Sequence, residues 1–189
     1  VVGGGGREHA IIKKLKANTS ITEIFALPGN GGIAKDATCV DIGAKDIPAI
    51  VDFAKKENID GILAYASDPA APTAAYVAEK LGLPGNPYAS VELLCNKDAF
   101  RAFLEKHHFH TPKAKGYNDR NAAYADLKDG YFHLPVIVKP VDSSGSKGVG
   151  RIDTMAEAGE KLDYAMSFSR GKRIIVEEFV EKYGYQIAG

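Results

Sequence analysis

The sequence predicts an α/β fold in two parts: a doubly wound parallel sheet, then a smaller α+β unit with an antiparallel sheet. Three observations carry this. From Val1 to about Tyr88, short apolar runs alternate with segments of helical period, the pattern of βαβ units. The turn-dense Leu83-Pro84-Gly85-Asn86-Pro87 then interrupts the alternation. Beyond His110-Thr111-Pro112, strand-like runs are joined by a glycine-rich turn, which suits neighbouring antiparallel strands.

In order, the strand candidates of the first part are Val1-Val2, Glu23 to Leu27, Cys39 to Ile42 and Gly61 to Tyr65. Between and after them, Glu8 to Ala17, Ile47 to Glu57 and Ala71 to Leu81 repeat apolar residues every three or four positions and read as crossover helices. Ile47, Ile50, Val51 and Ala54 make one apolar face, and Lys55, Lys56 and Glu57 end that helix on its wet side. Ser90 to Lys106 reads as a single helix with Leu93, Leu94, Phe100 and Leu104 on its apolar side. The second part has strand candidates Lys113 to Tyr117, Pro135 to Lys139, Val149 to Asp153 and Arg173 to Glu178, with helices over Arg120 to Lys128 and Thr154 to Met166. The expected organisation is thus a first domain at 1–88, a connecting helix at 89–112 and a second, incomplete domain at 113–189. Val1-Val2-Gly3 looks like the tail of a strand and Tyr185 to Gly189 like the start of another, so the chain is expected to be a piece of a longer protein.

Composition excludes several classes. The 189 residues carry 24 Lys plus Arg against 24 Asp plus Glu, so no global field recruits nucleic acid or an anionic surface. Apolar residues at 45% and charged residues at 25% rule out disorder and collagen-like sequence. No apolar run is long enough to cross a bilayer, and the chain reads as a soluble, cytoplasmic protein. Cys39 and Cys95 form no CxxC pair and read as plain thiols. His107-His108-Phe109-His110 reads as a surface helix end, because adjacent histidines cannot converge on one ion. Aromatic residues are not interleaved with basic clusters, so no nucleic-acid platform is expected.

Four stretches have the make-up of a ligand site. Gly3-Gly4-Gly5-Gly6-Arg7-Glu8-His9 follows a strand and opens a helix, where close backbone approach and unpaired N–H groups suit an anion; a bare turn is the alternative. Pro28-Gly29-Asn30-Gly31-Gly32 follows the second strand, where a dinucleotide site would place an acid, so the NAD reading weakens. Asp68 follows the fourth strand candidate, either as a carboxylate for an amine or a ribose hydroxyl, or as a helix cap before Pro69. In the second part, Val136-Ile137-Val138 delivers Lys139 at its end, and the loop Asp142-Ser143-Ser144-Gly145-Ser146-Lys147-Gly148 offers donors that suit a polyphosphate without being a Walker motif. Arg173 to Val180 then ends a strand in Glu177, Glu178 and Phe179, where backbone groups suit an adenine edge.

On these residues the chain resembles the amino-terminal half of the ATP-grasp ligases: a pre-ATP-grasp domain, a connecting helix and the first ATP-grasp subdomain. Gly3 to Ala10, Pro28 to Gly32 and Asp46 to Ala54 are similar to the phosphoribosylamine–glycine ligase family of purine synthesis. The stretch Gly61 to Gly85, the serine-rich loop and Gly184-Tyr185-Gln186 look more like carbamoyl-phosphate-synthase-like proteins. Ala66-Ser67-Asp68-Pro69-Ala70 stands where the ligases carry a Gly-Pro-Glu-type stretch, and Gly184 stands where an acid for the ribose is common.

The resemblance implies ATP and Mg²⁺ as cofactors, a small carboxylate and a small amine as partners, and neither nucleic acid nor membrane, with a homodimer left open. It places Lys97 and Lys139 at the nucleotide phosphates, Ser143, Ser144, Gly145, Ser146, Lys147 and Gly148 in the loop over them, and Glu177, Glu178, Phe179 and Val180 at the adenine hinge. Lys139 and Lys147 are the candidate catalytic residues. Gly5, Gly6, Arg7, Gly29, Asn30 and Asp68 are the candidate substrate contacts. Magnesium ligands would lie beyond Gly189, no metal site is expected within the chain, and the chain alone is not expected to turn over.

Overall fold

The computed structural model describes residues 1–65 and 67–181, and the chain divides into two compact units, Val1–Glu92 and Leu93–Gly189. The first unit holds three parallel strands, β1 (Val2–Gly3), β2 (Phe25–Pro28) and β3 (Thr38–Cys39), in the order β1-β2-β3. Val2 pairs with Leu27, and Phe25 with Thr38. Strand alternation sends Val2 and Leu27 to one face, against Ile50, Val51 and Ala54 of α2 (Ile47–Lys56) and Val77 of α3 (Ala71–Leu81). Ala26 points the other way and packs with Ile12 of α1 (Gly6–Lys16) and Ile33. Helices therefore cover both faces, as the doubly wound reading requires. Local chemistry sets the helix ends: the Asp46 carboxylate accepts from the Ala49 N–H at 3.2 Å, with Pro48 in the first turn, and Gly82 ends α3 at φ 67°.

Three expectations are corrected here. Gly61 to Tyr65 forms no strand: the Val2 N–H donates to the Leu63 carbonyl at 2.9 Å, and Ile62 and Ala64 pack against the core, but among the described residues no ladder forms with β1. Phe25, Leu27, Phe53, Gly61 and Leu63 consequently line a cavity of about 610 Å³ at the end of the sheet where its strands begin. Asp68 does not cap α3, because the helix starts later, with Ala70 at the cap and the Ser67 carbonyl accepting from the N–H groups of Ala70 and Ala71 at 2.9 Å. The single helix expected over Ser90 to Lys106, within the connecting stretch 89–112, is two helices, α4 (Tyr88–Cys95) and α5 (Lys97–Lys106). Asn96 breaks them with an extended backbone (φ −106°, ψ 107°), a conformation at home before a helix start.

In the second unit, β4 (Ala114–Tyr117), β5 (Val136–Pro140), β6 (Gly150–Ile152) and β7 (Ile174–Glu178) form one antiparallel sheet in the order β4-β7-β5-β6. One face sends Tyr117, Val136, Val138, Ile152, Ile174 and Val176 into a core closed by α6 (Arg120–Lys128) and α7 (Met155–Phe168). Asp119 caps α6, and Glu157 accepts from the Thr154 N–H at 3.0 Å to start α7. The opposite face carries Ala114, Gly116, Ile137, Lys139, Arg151, Ile175 and Glu177, as the cross-strand register dictates. The α5 helix lies over the β4 and β7 part of that face, where a Cβ on Gly116 would come within 2.7 Å of Asp98. Among the described residues no helix is long and apolar enough to cross a membrane. The strand expected at Tyr185 to Gly189 lies outside the described residues, as does Gly184.

Candidate functional site

The α5-facing side of the second sheet is where charge concentrates. Antiparallel register puts Ile137 opposite both Glu177 and Arg151, so Lys139, two residues on, emerges on the same side. The Lys139 ammonium donates to Glu177 Oε2 at 2.7 Å, and Arg101 Nε of α5 donates to Oε1 at 2.9 Å. Glu177 is 5% exposed. Burial works against its charge, yet the bonds from Lys139 and Arg101 outweigh it and hold the carboxyl below its ordinary value. Two cations on one carboxylate leave one net positive charge on this three-residue network.

Around it, Lys97 Nζ donates to the carbonyls of Val141 at 3.3 Å and Ser143 at 2.6 Å, clasping the start of the loop that the sequence assigns to phosphates. Ser144, Gly145, Ser146 and Lys147 are exposed, whereas Gly148 is buried. The loop curls through left-handed residues at Gly145 (φ 68°), Ser146 (φ 56°) and Gly148 (φ 75°). Only glycine fits the last of these, since a Cβ there would lie 2.7 Å from Pro140 and 2.8 Å from Phe168. Asp142 anchors the near end of the loop. Its carboxylate accepts from Ser169 Oγ at 3.1 Å and from the N–H groups of Arg170 at 3.2 Å and Gly171 at 2.8 Å. Burial opposes ionisation of Asp142, and these donors more than offset it, lowering the carboxyl's pKa.

The hinge residues divide. Glu177 turns its side chain to Lys139 and Arg101 and keeps its backbone inside the sheet, paired in register with Ala114 and Ile137. The Glu178 N–H donates to the Lys113 carbonyl at 2.9 Å, and the Phe179 N–H to the Pro135 carbonyl at 3.2 Å. The Phe179 ring lies 4.2 Å beneath the Arg151 guanidinium, and Val180 is exposed. Arg101, Glu105, Phe109 and Glu178 line a separate cavity of about 390 Å³.

In the first unit, the two glycine loops meet at the carboxyl ends of β1 and β2. Gly29 N–H donates to the Gly3 carbonyl at 3.2 Å, and a Cβ on Gly4 would sit 2.4 Å from the Gly29 carbonyl oxygen. Asn30, a candidate substrate contact, joins the loops: its Nδ2 donates to the Gly4 carbonyl at 2.6 Å, and its Oδ1 accepts from Gly32 N at 2.8 Å and Ile33 N at 2.9 Å. Gly5, Gly6 and Arg7 are exposed at the start of α1, where Glu8 turns back to accept from the Gly5 N–H at 2.7 Å. Asp68 is exposed.

Sequence reasoning missed Arg101 and the anchoring role of Asp142. The signal for Arg101 was faint, a basic residue on the apolar side of a helix, and its carboxylate partner stands 76 residues away. His107 caps the end of α5, and His108 and His110 are exposed, in keeping with a surface helix end. Among the described residues no group of three or more His, Cys, Asp or Glu is placed to hold a metal ion.

This pairing of a parallel α/β unit with a four-stranded antiparallel unit carrying a lysine and a glycine-rich loop defines the amino-terminal part of the ATP-grasp fold. Solved structures share it. The biotin carboxylase domain of a Hydrogenobacter thermophilus 2-oxoglutarate carboxylase, crystallised with MgADP, ADP and bicarbonate, matches 95% of this chain and 44% of its own at TM-score 0.69 and 17% identity. Phosphoribosylglycinamide synthetase from Anaerococcus prevotii matches 96% of this chain and 45% of its own at TM-score 0.63 and 20% identity. Within that class the chain is phosphoribosylamine–glycine ligase-like: residues 1–87 match the family model "Phosphoribosylglycinamide synthetase, N domain". Over 95% of its length it is 30% identical to the phosphoribosylamine–glycine ligase of Ralstonia nicotianae. It spans 44% of that relative, less than half.

Proposed function

We propose that the chain is the amino-terminal part of an ATP-dependent carboxylate–amine ligase, with glycine as the carboxylate and phosphoribosylamine as the amine. The observation that carries the reading is Lys139, held at the end of an apolar strand in a network with Glu177 and Arg101 that keeps one net positive charge, beside a loop clasped by Lys97. A carboxylate oxygen attacks the γ-phosphorus of ATP and the bond to ADP breaks, giving an acyl phosphate. The amine nitrogen then attacks the acyl carbon, loses a proton and expels phosphate.

In such a reaction the protein positions and neutralises. Lys139 and Lys147 offset the charge spreading over the transferring phosphoryl oxygens, while Ser143 to Gly148 supply hydroxyl and backbone donors. Lys97 fixes the loop from below. For an adenine edge the hinge offers the Val180 N–H and the carbonyls of Glu178 and Phe179, the N–H groups of 178 and 179 being already paired. The exposed Gly5, Gly6 and Arg7 at the start of α1 suit the sugar phosphate. Mg²⁺ bound with the nucleotide would supply charge neutralisation at the phosphates, and among the described residues no group of three or more His, Cys, Asp or Glu is placed to hold it.

The serine-rich loop favours a second reading, in which the same phosphoryl transfer activates bicarbonate or an amino acid. A screen of ATP-dependent phosphate release by the whole protein separates them: glycine plus phosphoribosylamine is expected to stimulate release, and bicarbonate or another amino acid doing so instead overturns the glycine assignment. Titration with ATP and with NAD tests the class. Binding of NAD without ATP contradicts it in favour of a dinucleotide module.

A further inference from the structure

Glu177 is almost wholly buried and carries one cation on each oxygen, Arg101 Nε on Oε1 at 2.9 Å and Lys139 Nζ on Oε2 at 2.7 Å. The lysine has its register from β5, the carboxylate from β7 and the arginine from α5, so three separate elements fix one small network. An ammonium has three N–H donors, and Glu177 takes one of those on Lys139. We infer that Arg101 and Glu177 are positioning residues for Lys139: the carboxylate aims the ammonium, and the arginine shares the carboxylate's charge so that the lysine stays available to an anionic ligand. The inference rests on the reading of this face as a triphosphate site and assigns residues that the reading leaves without a task.

Charge counting shows why both partners are needed. Two cations and one carboxylate leave one net positive charge. With Arg101 neutralised, Lys139 and Glu177 become a self-sufficient pair with no net charge, and a phosphate must compete with Glu177 for the ammonium. With both neutralised, Lys139 alone restores the single positive charge. A role confined to packing makes the opposite forecast, because each further loss of a polar contact makes matters worse.

The test is an equilibrium titration of the whole protein with ATP and with adenosine, which lacks the phosphates, alongside thermal unfolding of every variant. Arg101→Gln keeps an N–H donor for the buried oxygen while removing the charge. It is expected to weaken ATP about tenfold and to leave adenosine unchanged. Arg101→Lys, which retains the charge, is expected to stay within about threefold of the unsubstituted protein, and so is the double variant Arg101→Gln with Glu177→Gln. The inference is overturned if ATP and adenosine weaken together, if Arg101→Gln leaves ATP unchanged, or if the double variant binds ATP more weakly than Arg101→Gln alone. Failure of the unsubstituted protein to bind ATP overturns the triphosphate reading itself, a result distinct from these.

Discussion

The glycine loops of the first unit and the charged face of the second reach order by opposite means. The loops touch through main-chain atoms: Gly4 and Gly29 approach so closely that a methyl group at either would overlap the other loop or Cys39. The charged face is made from long side chains whose positions follow from strand register and from a helix laid across the sheet. A site made of backbone fails when atoms are added, and a site made of paired charges fails when one is taken away.

The largest effect should come from the charged face. Glu177→Leu strands Lys139 and Arg101 without their carboxylate and is expected to cost about 3 kcal/mol, at the low end for a broken buried pair because both cations keep some water contact. Urea unfolding measures the loss, and hydrogen exchange should place it at β5 and β7. Gly29→Ala tests the other means. With φ at 73° and a Cβ 2.4 Å from Cys39 Sγ, it is expected to cost about 2 kcal/mol, read by exchange at β1 and β2.

Acid offers a third cut. Glu177 and Asp142 have carboxyl pKa values lowered in the folded state, so their contribution is present above the unfolded values of 4.5 and 3.8 and drains away as pH falls through the lower folded values. Asp142→Asn should therefore lose about 1 kcal/mol near pH 7 and progressively less below pH 4, flattening the acid side of the stability profile. A constant loss across that range would mean that the charge of Asp142 contributes nothing. The smallest effect is expected at Ser146, whose φ of 56° is costly for a residue with a Cβ. Ser146→Gly should gain about 0.5 kcal/mol after the entropy of the unfolded chain is counted, visible as a slight rise in the unfolding midpoint.

Much of this fold was legible because local chemistry and periodicity agree. The bounds of α3 and α6 follow from the sequence, with Gly82 ending one and Asp119 starting the other. Of the antiparallel strands, β5 and β7 were readable as apolar runs, whereas β4 (Ala-Lys-Gly-Tyr) and β6 (Gly-Arg-Ile) carry little apolar signal. The pairing order of the four, β4-β7-β5-β6, was not readable, because it depends on tertiary register. Gly61 to Tyr65 misled, since an apolar run reports burial and not the presence of a partner long enough to make a ladder. Asn96 was hidden inside an apolar pattern that continues across the break. At the site, Lys139 stood out as a charge ending an apolar strand. Glu177 stood out too, but its side chain faces the lysine and the helix, a fact of register across strands distant in sequence. Arg101 gave only the faint signal of a basic residue on the apolar side of a helix, because its carboxylate partner is 76 residues away.

The central claim is that the open side of the second sheet takes a nucleoside triphosphate through Lys139. Its most direct test is the affinity of the whole protein for ATP and for adenosine, with and without Lys139→Met. The account predicts ATP binding that weakens about 30-fold on substitution, the worth of one charge-assisted contact, with adenosine unaffected. An unchanged ATP affinity, or an equal loss for both ligands, would contradict it.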